Sequence, residues 1–240
     1  MIQKFILFFA ITALAIAASA CAFFPRRAAT ATRQDWQEEF NIASRTLTDT
    51  GESKYVVLQP GFQLVLASAT TKLTITVLNE TREINGITTR VVEEREEENG
   101  ALVEVSRNLF AMDQETGDLF YFGEEVDIYE RGSIVSHSGA WLAYTNGNRP
   151  GLMMPGNPVV GMKYYQEVAP GVAMDRAEII SMTETCRVPA GEFRNCLVSE
   201  ESTPLEPGVI EHKRHAPGIG LVQDQSLTLV SYGYIDLGGR

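Results

Sequence analysis

The chain has 240 residues, a formal net charge of −11 and 44% hydrophobic residues. So acidic a balance argues against nucleic acid as a partner and against general adhesion to anionic headgroups, while the apolar content suffices for one sizeable core. No G-x-S-x-G elbow, P-loop or H-E-x-x-H occurs, so no catalytic residue, metal ligand set or cofactor is assigned.

Lys4 is the only charged residue among the first twenty, and Phe5 to Ile16 is almost unbroken apolar sequence. That pattern predicts a signal peptide over residues 1–20. Ala18-Ser19-Ala20-Cys21 suits ordinary signal peptidase and also resembles a bacterial lipobox, in which Cys21 becomes the new N-terminus and its thiol carries diacylglycerol. The expectation is a lipoprotein held to a membrane through Cys21. Simple secretion and an uncleaved anchor are the alternatives. Loss of Lys4 with the signal takes the charge from −11 to −12. Ala22 is not the acidic residue that retains lipoproteins in an inner membrane, which favours the outer membrane, facing the periplasm.

Residues 21–34 are small, polar and broken by Pro25, and read as a tether. Asp35 with Glu38 resembles a capping box, and Trp36, Phe40, Ala43 and Leu47 share one helical face. A short helix is expected over 36–47, within a segment 35–50. From Lys54 the period changes to two: Leu73, Ile75 and Val77 alternate with Thr74 and Thr76. Asn99-Gly100 between 87–98 and 101–113 is a strong hairpin signal. Turn signals continue to the C-terminus, and residues 51–240 read as one antiparallel domain of about ten strands, all-β and monomeric. The run EEREEE at 93–98 reads as a solvated hairpin tip; its spacing does not follow an EF-hand loop.

Three cysteines is an odd number for an exported protein, and acylation of Cys21 would leave Cys186 and Cys196 as a pair. A hairpin symmetric about Gly191 would set the two opposite each other, close enough for a cross-strand disulfide.

The segments YFGEEVDIYERGSIVSHSGAWLAYTNGNRPGLMMPGNPVVGMKYYQEVAPG (121–171) and VPAGEFRNCLVSEESTPLEPGVIEHKRHAPGIGLV (188–222) carry a resemblance. The chain resembles an uncharacterised family of bacterial exported proteins and lipoproteins with YFGE, PG…MP, YxQE, VPAG-F, PLEPG and APGVGLV blocks. Tyr121 to Glu124, Trp141, Pro150, Gly151, Met154, Pro155, Tyr165 to Glu167, Lys213, Ala216, Pro217, Gly218 and Gly220 fall on those blocks. Arg214-His215 stands where the family carries aromatics. The resemblance implies a curved antiparallel sheet, similar to the half-barrels of bacterial lipoprotein carriers.

The stretch 145–161 is long, nearly uncharged, and carries Leu152, Met153 and Met154 in a row. With Trp141 these are candidates for a ligand contact or a lid; the bland reading is a proline-glycine crossover filling the open side of the sheet. Glu124, Glu125 and Glu167 invite an acid/base role but read better as charged edges or internal pairs. His212 and His215 fall on opposite faces of a strand, which disfavours a shared metal, and His137 lies far off in sequence. The expected function is non-enzymatic binding of a lipid or acyl chain on a concave face, covered by the 145–159 loop and the 36–47 helix. An interaction module with a filled core and, third, a hydrolase are the alternatives.

Overall fold

The alternating stretches become strands because one side of each is aliphatic and can be buried on a common core. A computed structural model describes residues 35–238. The signal peptide, the Cys21 lipidation site and the tether lie outside the described residues. In chain order the strands are β1 (Leu47–Thr48), β2 (Gly51–Ser53), β3 (Val56–Leu58), β4 (Phe62–Ala67), β5 (Thr71–Ile84) and β6 (Ile87–Glu98). There follow β7 (Ala101–Asp113), β8 (Leu119–Glu130), β9 (Ser133–Ser136), β10 (Trp141–Leu142), β11 (Gly151–Met154) and β12 (Lys163–Tyr165). The last are β13 (Arg176–Val188), β14 (Gly191–Ser202), β15 (Glu211–Ala216), β16 (Gly220–Asp224) and β17 (Leu227–Tyr234).

Fifteen of these form one antiparallel curved sheet, in the order β10-β8-β7-β6-β5-β4-β17-β16-β15-β14-β13-β12, with β1 on β7 and both β9 and β11 on β8. β2 and β3 pair separately. The sheet is not closed into a barrel; its ends approach at the isolated bridge of Arg149 with Val168. Asn99-Gly100 joins β6 to β7 with φ of 51° and 80°, the left-handed pair that a tight hairpin requires.

Two expectations fail. Residues 36–47 do not form an α-helix: the chain there is extended, with one 3-10 turn over Ile42–Ser44. Main-chain pairing to the edge of the sheet wins, as Gln37 N–H donates to Lys163 O at 3.0 Å and Tyr165 N–H to Gln37 O at 2.8 Å. Asn41, at φ 50°, then turns the chain, and Phe40 packs on Phe120 with ring centroids 6.0 Å apart. Trp36 is held by Arg176, whose guanidinium lies 4.3 Å from its ring. The apolar spacing that mimics a helix serves separate contacts along an edge.

Cys186 and Cys196 do not form a disulfide. Both are free and buried. The hairpin turns over Pro189-Ala190 with Val188 opposite Gly191, so its midpoint is not Gly191. A register slip, with Asn195 at φ 57°, sets Cys186 opposite Phe193 and Cys196 opposite Glu184. Burial and the neighbouring Cys196 thiol push the Cys186 thiol up to about 12.

Candidate functional site

Register decides which side chains share the inner face of the sheet. Ile75 lies opposite Glu94 and Glu94 opposite Ser106; Val77 opposite Val92, and Val92 opposite Asn108, which faces Glu124. Leu73 lies opposite Glu96, and Glu96 opposite Glu104. Each row begins aliphatic on β5 and turns polar on β6 or β7, and two of the three become aliphatic again on β8, at Val126 and Ile128. From the far side of the sheet, β15 brings Lys213 opposite both Ser199 and Asp224.

The inner face therefore encloses two chambers of different character. The first is a cavity of about 200 Å³ lined by Phe62, Leu64, Ile75, Val92 and Leu221, with Glu94, Lys213 and His215 among its polar groups. The second, of about 170 Å³, is lined by Glu104, Asn108, Glu124, Glu167 and Asp175. Glu94, Phe110, Met153 and Lys213 line both and form the shared wall.

Lys213 is the only Lys or Arg lining either chamber among the described residues. Its Nζ lies 3.0 Å from Glu201 Oε2 and 3.8 Å from Asp224 Oδ2. Burial opposes its charge, but these two carboxylates hold its pKa well above the ordinary lysine range. Glu201 is 7% exposed. Burial works against its ionisation too, yet Lys213 and the Ser199 hydroxyl, donating to Oε1 at 3.0 Å, keep its carboxyl below the usual value. Gln166 Nε2 donates to the same carboxylate at 3.3 Å.

For carboxyls not in contact with Lys213 the balance reverses. Burial pushes Glu94 up to about 7 although the Lys213 charge works against it, and pushes Glu104 up to about 7, with other carboxylates of the inner face adding to both. Glu167 is raised well above its ordinary range by burial, by Asp175 and by Glu124. The second chamber thus holds carboxyl groups partly protonated at neutral pH. His215 goes the other way, to about 4, because burial and nearby Lys213 outweigh the attraction of Glu201, and its imidazole is neutral. Its buried Nδ1 has no hydrogen-bond partner among the described residues.

The candidate residues of the sequence divide. Leu152 and Met154 are each 3% exposed, and β11 is hydrogen-bonded along β8, so they are wall and not lid. The crossover is held there by close approach: a Cβ on Gly151 would sit 2.0 Å from Gln166 O, and one on Gly123 (φ +132°) 2.3 Å from Trp141 O. Of the three, Met153 lines both chambers and Met154 the apolar one, while Leu152 lines neither. Trp141 is buried edge-on against Tyr121, at 5.3 Å and 75°, on a shallower recess beside Glu124. Glu124 and Glu167 share the second chamber, while Glu125 is exposed. The histidines are apart: His137 pairs with Asp127 at 3.0 Å, His212 with Glu200 at 3.6 Å, and His215 lines the apolar chamber.

Sequence reasoning missed Glu94, Glu104, Lys213 and Gln166 as site residues. The run EEREEE is not a uniformly solvated tip. Glu93 and Glu97 pair outside with Arg107 and Lys72, while Glu94, between them, turns inward. Strict alternation counted from the Asn-Gly turn was the available signal. Comparison of the chain with known protein families, curated proteins and solved structures finds no match.

Proposed function

We propose that the chain is a cell-envelope lipoprotein, anchored through Cys21, that binds a lipid or acyl chain on the inner face of its sheet without catalysing a reaction. The observation that carries this reading is the apolar chamber of about 200 Å³. Ligand pockets are mostly apolar clefts with a few placed polar groups, and an apolar cavity of ~150 Å³ takes up benzene. The lining comes from strands of both halves of the sheet, so the space is set by the fold rather than by one side chain. The crossover 145–161 contributes Met153 and Met154 to its wall, and the edge segment 35–50 lines neither chamber.

Uptake of a neutral apolar fluorophore, N-phenyl-1-naphthylamine, tests this. The expected result is saturable enhancement in the native chain that Ile75→Phe abolishes by filling the chamber. Enhancement that the substitution leaves unchanged would place binding elsewhere. Exposed Val230, Tyr232 and Tyr234 on β17 favour the second reading, an interaction module, and the absence of any uptake would move the function to that surface.

A further inference from the structure

We infer that the ligand is a cationic amphiphile, its aliphatic chain in the apolar chamber and its ammonium group at the shared wall beside Glu94, facing the carboxylates of the second chamber. This rests on the reading of the inner face as an apolar-ligand site and assigns that ligand a charge and a size.

Three observations converge. First, the apolar chamber ends on polar groups, and Glu94 borders both chambers, so a chain lying against Ile75 and Val92 has its head at this carboxyl. Second, the one lining cation is already committed. Lys213 sits on Glu201 and Asp224, and neither Glu94 nor Glu104 has an ion-pair partner among the described residues. Third, His215 lines the apolar chamber with a neutral ring and a buried Nδ1 that has no hydrogen-bond partner among the described residues. An ammonium has only hydrogen-bond donors; carboxyls without an ion-pair partner accept from it, and a neutral imidazole offers one acceptor nitrogen in addition. A carboxylate or phosphate head would instead enter beside Glu94 and Glu104, whose own ionisation burial already opposes.

The volume sets the chain length. Since a cavity of ~150 Å³ holds benzene, one of this size takes a chain of about six to eight carbons. Longer chains would project from the sheet.

Calorimetric titration of the chain at neutral pH with octylamine, octanol and octanoate separates head from tail. The expected order is octylamine tightest, by at least ~10-fold over octanol, with octanoate weakest. Glu94→Gln combined with Glu104→Gln should bring octylamine to the level of octanol, with the circular dichroism and melting temperature of the variant reporting that it is folded. Octanol or octanoate binding as tightly as octylamine to the native chain would overturn the charge assignment and leave the apolar site standing. Binding of none of the three would remove both.

Discussion

On the outer face of β6, Glu93 meets Arg107 at 3.4 Å and Glu97 meets Lys72 at 3.4 Å. One residue away on the inner face of the same strand, Glu94 looks into a cavity whose only lining cation among the described residues is already held by Glu201 and Asp224. Residue type and local sequence are the same on both sides, so neither sets the outcome. Outside, each carboxylate has water and a cross-strand partner; inside, removal from water raises the pKa unless a lysine stands in direct contact. Glu201 and Glu94 make the same contrast within the cavity, since the first has Lys213 at 3.0 Å and the second does not. What a carboxyl does here is fixed by its face and by its distance from one ammonium group.

The largest expected effect comes from removing that group. Lys213→Met strands Glu201 and Asp224 in a site built for a cation, and should cost about 3 kcal/mol of unfolding free energy at neutral pH, read by urea denaturation. A loss below about 1 kcal/mol would mean that water, and not Lys213, carries these carboxylates.

Next is the pH dependence of stability. Glu94 and Glu104 titrate near 7 in the fold against an ordinary value of 4.5. Below about pH 4.5 folded and unfolded chains both hold these protons and the stability is fully present; it is lost as the pH rises through 7. Asp113 and Glu201 run oppositely, because their lowered values make a contribution lost only as the pH falls through the ordinary carboxylate range. Melting temperature should therefore climb as the pH is brought from 8 to 5 and fall again below 4. Glu94→Gln should add about 2 kcal/mol at pH 8, a value reduced from the full shift because the side chain keeps some contact with water, and nothing at pH 4.5. A flat profile in the native chain would break the contrast between the faces.

The smallest effect belongs to the outer face. Glu97→Gln, which removes an exposed pair with Lys72, should change unfolding free energy by less than about 0.5 kcal/mol at any pH. A larger change would show that the outer ladder is coupled to the core.

Much of the sheet was legible because its signals are local. Asn99-Gly100 fixed the bounds of β6 and β7, and the separation of His212 from His215 followed from alternation alone. The segment 36–47 misled because Trp36, Phe40 and Leu47 obey a helical spacing while serving contacts to Tyr165, Phe120 and the edge of β7. The cysteine pairing failed on a single slip in β14 near Asn195, which no turn motif announces. Glu94 was hidden for a different reason: Val91 and Val92 are both buried, so the residues just before the charged run do not reveal which face is inside. Lys213 gains its role only from strands more than ten residues away, through Glu201 and Asp224.

The central claim is that the inner face holds an apolar guest. Native mass spectrometry of the chain released from the cells that make it, set beside the same measurement on Ile75→Phe, tests this most directly. The expected result is a non-covalent apolar adduct on the native chain that the substitution removes. A native chain carrying no adduct and taking up no N-phenyl-1-naphthylamine would contradict it.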